Sequence, residues 1–212
     1  MRMSLLVEKL WMENKEFVTS KELKEYCRSM KMDYTLVIRY LVSRKKYLFR
    51  IFRGIFYVRS LEELKLGRSK YNHLELVAKG LELKGVKDWY FGLHSALKLN
   101  NMTHEHFAIE EVVSNSIFRA NPFDIAGYKF RFVKLSPPLV SFGIKEERAL
   151  RYSDPEKTVL DFIYLARQKG VPVDKIVADV SSWSAGLSKD KLRKYAKKYP
   201  KTVATIAGMV IG

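Results

Sequence analysis

The sequence predicts an α+β protein: an N-terminal winged helix-turn-helix followed by a mixed α/β C-terminal domain with a helical tail. Three observations lead there. Between Leu6 and Arg59 the patterned segments run helix, helix, helix, hairpin. After residue 60, short β-branched and aromatic runs intermix with helical periodicities. Positive charge is gathered on the first part. Residues 28–59 hold nine basic side chains against Asp33 alone, so a local excess of +8 accounts for half of the chain's +16.

The elements follow in order. Leu6, Val7, Leu10 and Trp11 repeat at helical spacing. Thr19 with Glu22 three residues on is a capping-box pattern, so a second helix begins near Ser20. Its apolar residues Leu23, Tyr26, Cys27 and Met30 fall on one face. Asp33 offers an N-cap for a third helix from Tyr34 to about Arg44. Leu48 to Phe52 and Ile55 to Arg59 then form a hairpin about Arg53-Gly54.

In a winged helix the third helix enters the major groove and the hairpin rides on the backbone. The expected DNA-contacting residues are therefore Tyr34, Thr35, Arg39, Ser43, Arg44, Lys45, Lys46, Arg50 and Arg53. Arg39 and Thr35 are the candidates for base edges. The face is hard to assign, because Leu36, Val37, Ile38, Tyr40, Leu41 and Val42 are apolar almost all round.

Beyond the wing the pattern predicts a helix from about Ser69 to Lys84, stopped by Gly85. An aromatic entry Trp89-Tyr90-Phe91 leads to a short helix closed at Asn100 or Asn101, since asparagine tolerates the left-handed conformation of such a cap. Phe107 to Val113 reads as a strand, Ile125 to Leu135 as a hairpin about Ala126-Gly127, and Ser141 to Ile144 as a last short strand. Asp154, Pro155 and Glu156 open a helix as N-cap, N1 and first-turn acid, and Gly170 ends it. Three further helices are expected over 174–183, 187–199 and 201–211. The middle one presents a second basic surface of Lys191, Arg193, Lys194, Lys197 and Lys198.

Composition bounds the partners. Hydrophobic residues at 47% and aromatics at 13% suffice for a core, which argues against global disorder. Cys27 stands alone, so no intrachain disulfide forms and a reducing cytoplasm is the expected compartment. No apolar run approaches the ~20 residues of a membrane span, and no membrane partner is expected. The basic balance points to double-stranded DNA.

Motifs for catalysis are absent: no phosphate-binding Gly-x-x-x-x-Gly-Lys-Ser/Thr loop, no Gly-x-Gly-x-x-Gly and no Gly-x-Ser-x-Gly. No enzyme activity, cofactor or metal is expected. Asp154, Glu156, Lys157 and Asp161 could serve a metal-dependent nuclease, but a capped helix start uses the same residues more economically. His94, His104 and His106 lack the cysteine or paired carboxylate that would complete a zinc site.

Three segments together resemble the AbiEi-type antitoxin and transcriptional-regulator family of type IV toxin-antitoxin systems. They are the wing Arg50 to Val58, the stretch from Tyr90-Phe91-Gly92-Leu93-His94-Ser95-Ala96-Leu97 through Thr103, and Asp154 to Asp161. The resemblance spans roughly residues 1–165. It departs at Asn101 and Met102, where the family more usually has glycine and leucine. It implies a repressor of its own operon, binding operator repeats as a homo-oligomer on the DNA, whose C-terminal domain counters a nucleotidyltransferase-type toxin with or without direct contact.

The domain reading is then 1–60 for the winged helix-turn-helix and 61–212 for an antitoxin-like α+β domain. The rival readings are a winged-helix adaptor that binds protein without specific DNA binding, and a nuclease.

Overall fold

A computed structural model describes residues 2–211 and confirms a mixed α+β architecture, with two sheets and ten α-helices among those residues. Two compact units divide the chain, Met1–Val86 with Ile125–Gly127, and Lys87–Asp124 with Tyr128–Gly212. Among the described residues no helix is long and apolar enough to cross a membrane.

The first unit begins with α1 (Arg2–Met12), β1 (Phe17–Thr19) and α2 (Ser20–Ser29). The capping box is formed as the sequence predicts: Thr19 Oγ1 accepts from the Glu22 N–H at 3.2 Å, and Glu22 accepts the Thr19 N–H at 2.8 Å. Strand β1 was not expected, because three residues are too few to show a period. α3 (Tyr34–Ile38) starts at Asp33, whose carboxylate accepts the Leu36 N–H, and continues as a π-helical turn over Arg39–Arg44.

The hairpin is β2 (Leu48–Phe52) and β3 (Ile55–Val58), with Gly54 alone at positive φ in its turn. The sheet order is β1-β3-β2, all antiparallel, with an irregularity between Arg50 and Phe52. Leu6, Val7, Leu10, Leu23, Cys27, Val37, Leu41 and Phe56 fill the core between helices and sheet.

This unit runs past residue 60, the boundary expected from the sequence, to Val86. α4 (Leu61–Leu66) and α5 (His73–Leu83) follow β3, each opened by a capping box, Ser60 with Glu63 and Asn72 with Glu75. The helix predicted from Ser69 therefore starts at His73. Close approach binds α5 to the hairpin. A Cβ on Gly80 would stand 2.7 Å from Ile51 Cγ2 and 2.8 Å from Phe52 Cε2, so glycine is what lets the helix lie on β2.

The second unit is a six-stranded mixed sheet and five helices. The strands are β4 (Trp89–Phe91), β5 (Ile109–Ser114), β6 (Arg119–Ile125), β7 (Tyr128–Lys134), β8 (Ile144–Glu147) and β9 (Leu150–Ser153), in the order β6-β7-β5-β4-β9-β8. β5 runs parallel to β7, with the edge strand β6 lying between them in sequence, and β4 runs parallel to β9.

α6 (Leu93–Leu99) joins β4 to β5, α7 (Pro155–Gln168) follows β9, and α8 (Val173–Ser181), α9 (Lys189–Ala196) and α10 (Lys201–Ile211) pack on α7. The core joins Tyr90 and Val113 of the sheet to Val159, Leu160 and Ile163 of α7 and to Ile176, Leu192, Val203 and Ile206 of the tail.

The heart of this unit is polar. Lys157 is fully buried, with Nζ 3.0 Å from Asp161 Oδ1 and 3.0 Å from the Tyr199 hydroxyl, and with the Tyr90 and Phe142 rings 4.9 and 4.7 Å away. Tyr90 and Tyr199 each donate to Asp161 at 2.7 Å. Burial pulls the lysine below its ordinary pKa, with Asp161 opposing, and pushes both phenols well up. Gly143, at φ +64, lies where a Cβ would come within 2.9 Å of the Lys157 side chain.

Candidate nucleic-acid interface

On the third helix Thr35, Arg39 and Ser43 are all exposed while Val37, Ile38 and Leu41 are buried, which settles a face that the apolar run left open. Thr35 and Arg39 are one α-helical turn apart, with the Arg39 N–H donating to the Thr35 carbonyl, and the helix widens only afterwards. Lys45 donates to the Tyr40 carbonyl five residues back, so 40–44 wind more widely than an α-helix and the periodicity slips. Tyr34 is turned differently. It is half-buried, its hydroxyl donates to Ser20 Oγ at 2.9 Å and the Lys24 ammonium lies over its ring, so its polar end is engaged within the fold.

The helix gives way to Arg44, Lys45 and Lys46, all exposed, with Lys46 at φ +53. Tyr47 then donates to Leu41 at 2.9 Å, which returns the chain along the helix end into β2. The hairpin exposes Arg50 and Arg53, and the Arg50 guanidinium lies over the Phe56 ring at 5.5 Å. None of Arg39, Arg44, Lys45, Lys46 or Arg53 forms an ion pair among the described residues. Arg59 differs. Its guanidinium donates to the Glu63 carbonyl and covers the Phe49 ring, so its charge is held by the fold.

The second basic surface is reduced by one member. Lys191 Nζ is 3.0 Å from Asp154 Oδ2 and 3.0 Å from Glu156 Oε2, and these two carboxylates, both buried, neutralise it. The carboxylate pair outweighs the burial of the lysine and raises its pKa. Arg193, Lys194, Lys197 and Lys198 are exposed, with Lys198 Nζ 4.2 Å from the Phe142 ring centroid and Arg193 near Asp190.

The carboxylates weighed for a nuclease are engaged in the fold. Asp154 caps α7, Glu156 accepts the Ser188 N–H and Asp161 holds Lys157. Among the described residues no group of three or more potential ligands is placed to hold a metal ion. His104 and His106 are exposed, whereas His94 is drawn into another arrangement.

That arrangement was missed. His94 Nδ1 lies 2.8 Å from Glu111 Oε2, which also accepts the His94 backbone N–H at 3.1 Å. Arg131 holds the other oxygen, Oε1, through Nε at 3.1 Å and through its NH2 group. Glu111 is 1% exposed. Burial pushes its carboxyl up, yet His94 and Arg131 together bring it below the usual range. The signal was Glu110-Glu111 inside an otherwise apolar strand, since two adjacent acids cannot both face water from a central strand. Glu110 takes the neighbouring pair, accepting from Ser95 at 2.5 Å and Lys98 at 2.7 Å.

No protein-family model and no curated protein matches the chain. Among solved structures it is similar to the crystal structure of the RV2827C protein from Mycobacterium tuberculosis, with a TM-score of 0.62 over 99% of this chain and 75% of that one at 14% identity. That likeness concerns the fold.

Proposed function

We propose that this chain is a DNA-binding transcriptional repressor. In this reading residues 1–60 form a winged helix-turn-helix that reads operator repeats with the helix beginning at Tyr34, and Arg50 and Arg53 of the hairpin bind the backbone. The supporting observation is the row Thr35, Arg39 and Ser43, exposed on one side of that helix and continuous in sequence with the unpaired cations Arg44, Lys45 and Lys46. A guanidinium in a groove reaches two acceptors of guanine, and flanking lysines neutralise phosphates. The resemblance of three segments to the AbiEi-type family extends the reading to an antitoxin whose 61–212 region counters a nucleotidyltransferase-type toxin.

The test is binding to the DNA upstream of the chain's own reading frame. The parent should retard that DNA in preference to unrelated DNA of equal length. Arg39→Ala should weaken the specific complex by about 1–3 kcal/mol while leaving the melting temperature in place. Equal affinity for both DNAs, or an unchanged affinity in the variant, refutes the assignment. For the antitoxin role, co-expression with a neighbouring nucleotidyltransferase-like protein should restore growth that the latter alone arrests.

A further inference from the structure

Within the second unit a cleft of about 520 Å³ opens beside His94, lined by Phe162, Trp183, Glu105, Asp179 and Ser182. Its lining contains no lysine or arginine, although the chain carries a net charge of +16. Such a site neither attracts phosphate nor continues the basic surfaces. Its walls are flat. The Phe162 and Trp183 rings lie 4.7 Å apart at 41°, and the His94 ring stands edge-on to Phe162 at 5.0 Å.

Its polar groups are predominantly acceptors. Glu105 and Asp179 are exposed carboxylates. The Ser182 hydroxyl donates to the Asp179 carbonyl at 3.1 Å, which leaves its oxygen lone pairs. His94 completes the set. In the neutral ring the buried Glu111 carboxylate takes the Nδ1 proton, so Nε2 is an acceptor, and it has no partner among the described residues.

The imidazole is also held rigidly in place. Glu111 grips both its Nδ1 and its backbone N–H and is itself fixed by Arg131. His94 follows Leu93, a buried residue at φ +52, and Gly92, where a Cβ would come 2.6 Å from Val113 Cγ2. Left-handed backbone at a leucine costs energy, and the surrounding fold maintains it here.

Aromatic rings and acceptor groups lining one cleft suit a planar cation rich in donors. A guanidinium offers five N–H donors and no acceptor, and it stacks on aromatic faces where an ammonium does not. We propose that the His94 cleft binds the guanidinium group of an arginine, stacked against Trp183 and Phe162 and held at its edge by Asp179, Glu105 and His94 Nε2. This site is independent of the DNA-binding surface, and its fate does not follow that of the repressor reading.

The test is calorimetric titration of the full chain with three probes: N-acetyl-arginine-N-methylamide, ethylguanidinium, and the neutral isostere N-acetyl-citrulline-N-methylamide. Saturable binding of the arginine amide, with the citrulline amide weaker by about tenfold or more, is expected from the loss of charge and of stacking. Asp179→Asn and Trp183→Ala should each weaken the arginine probe several-fold. Both replace partly exposed side chains, and an unchanged melting temperature confirms that they fold. Tighter binding of the arginine amide than of ethylguanidinium assigns the site to an arginine in a peptide chain, and the reverse order to a free guanidine. Equal binding of the arginine and citrulline amides, no saturation by the arginine amide, or unaltered affinity in both variants overturns the proposal.

Discussion

At the scale of the residue, Asp154 does two jobs with its two oxygens. Oδ1 accepts the Lys157 N–H at 2.9 Å as the N-cap of α7. Oδ2 accepts the Tyr195 hydroxyl at 3.1 Å and lies 3.0 Å from Lys191 Nζ, which ties α9 to the start of α7. The cap was legible in Asp154-Pro155-Glu156, because capping is decided by neighbours in sequence. The second role was not, since its partners stand some forty residues on. Asp154→Ala should therefore cost more than a cap alone, about 2 kcal/mol in urea denaturation. Asp154→Ser should recover only the cap, about 1 kcal/mol of that loss. A serine variant as stable as the parent would show that the link to α9 contributes nothing.

Elements that carry their own signals were legible, and those shaped by their surroundings were not. The hairpin of β2 and β3 was read from two β-rich runs about Arg53-Gly54, and the Ala126-Gly127 turn between β6 and β7 has both residues at positive φ, as a two-residue hairpin requires. The hairpin of β8 and β9 was overlooked, and a strand was expected at Ser141–Ile144 instead of Ile144–Glu147. Its turn places Arg148 and Ala149 at φ +48 and +66, residue types that give no warning of a left-handed bend. Strand β6 was also missed over most of its length, for it bears Asn121, Pro122 and Asp124 at the edge of the sheet, where proline removes no needed ladder bond. A prediction belongs to the first hairpin. If Arg50 and Arg53 neutralise phosphate, their joint change to alanine should weaken binding to all DNA sequences alike and lower the slope of log affinity against log salt by up to about two. An unaltered slope in a salt titration would remove the hairpin from the interface.

For the whole molecule, buried and half-buried carboxylates set the response to acid. Hydrogen bonds from Lys70 and Tyr71 hold Glu16 below its ordinary pKa of 4.5. In Glu63 and Glu156 burial pushes upward, but Tyr57 with the Lys70 and Ser60 amides, and the Ser188 amide with Lys191, prevail and lower them. Glu111 behaves in the same way through His94 and Arg131. A carboxyl lowered in the folded state binds fewer protons there than in the unfolded chain, so each contributes stability that is complete above pH 4.5 and lost as the pH falls through its folded pKa. The melting temperature should hold on the neutral side and drop steeply below pH 4.5, with contributions from both units. Scanning calorimetry from pH 7 to pH 3 checks this, and a flat profile through that range would contradict it.

The sequence alone determined the mixed α+β class, the three-helix and hairpin order of the first unit, the caps at Thr19, Asp33 and Asp154, and the left-handed close at Asn101, because propensity, capping and turn chemistry act over a few residues. It also marked the charge of residues 28–59. Tertiary structure decided which of those cations remain unpaired, that Thr35, Arg39 and Ser43 share the exposed side of the third helix, and where the first compact unit stops. It alone brought Lys157 to Asp161, Tyr90 and Tyr199, and His94 to Glu111 and Arg131. The spacing of Lys157 and Asp161 is local, but a charge can remain fully buried only where distant chain segments supply its partners and exclude water, and that depends on the completed fold.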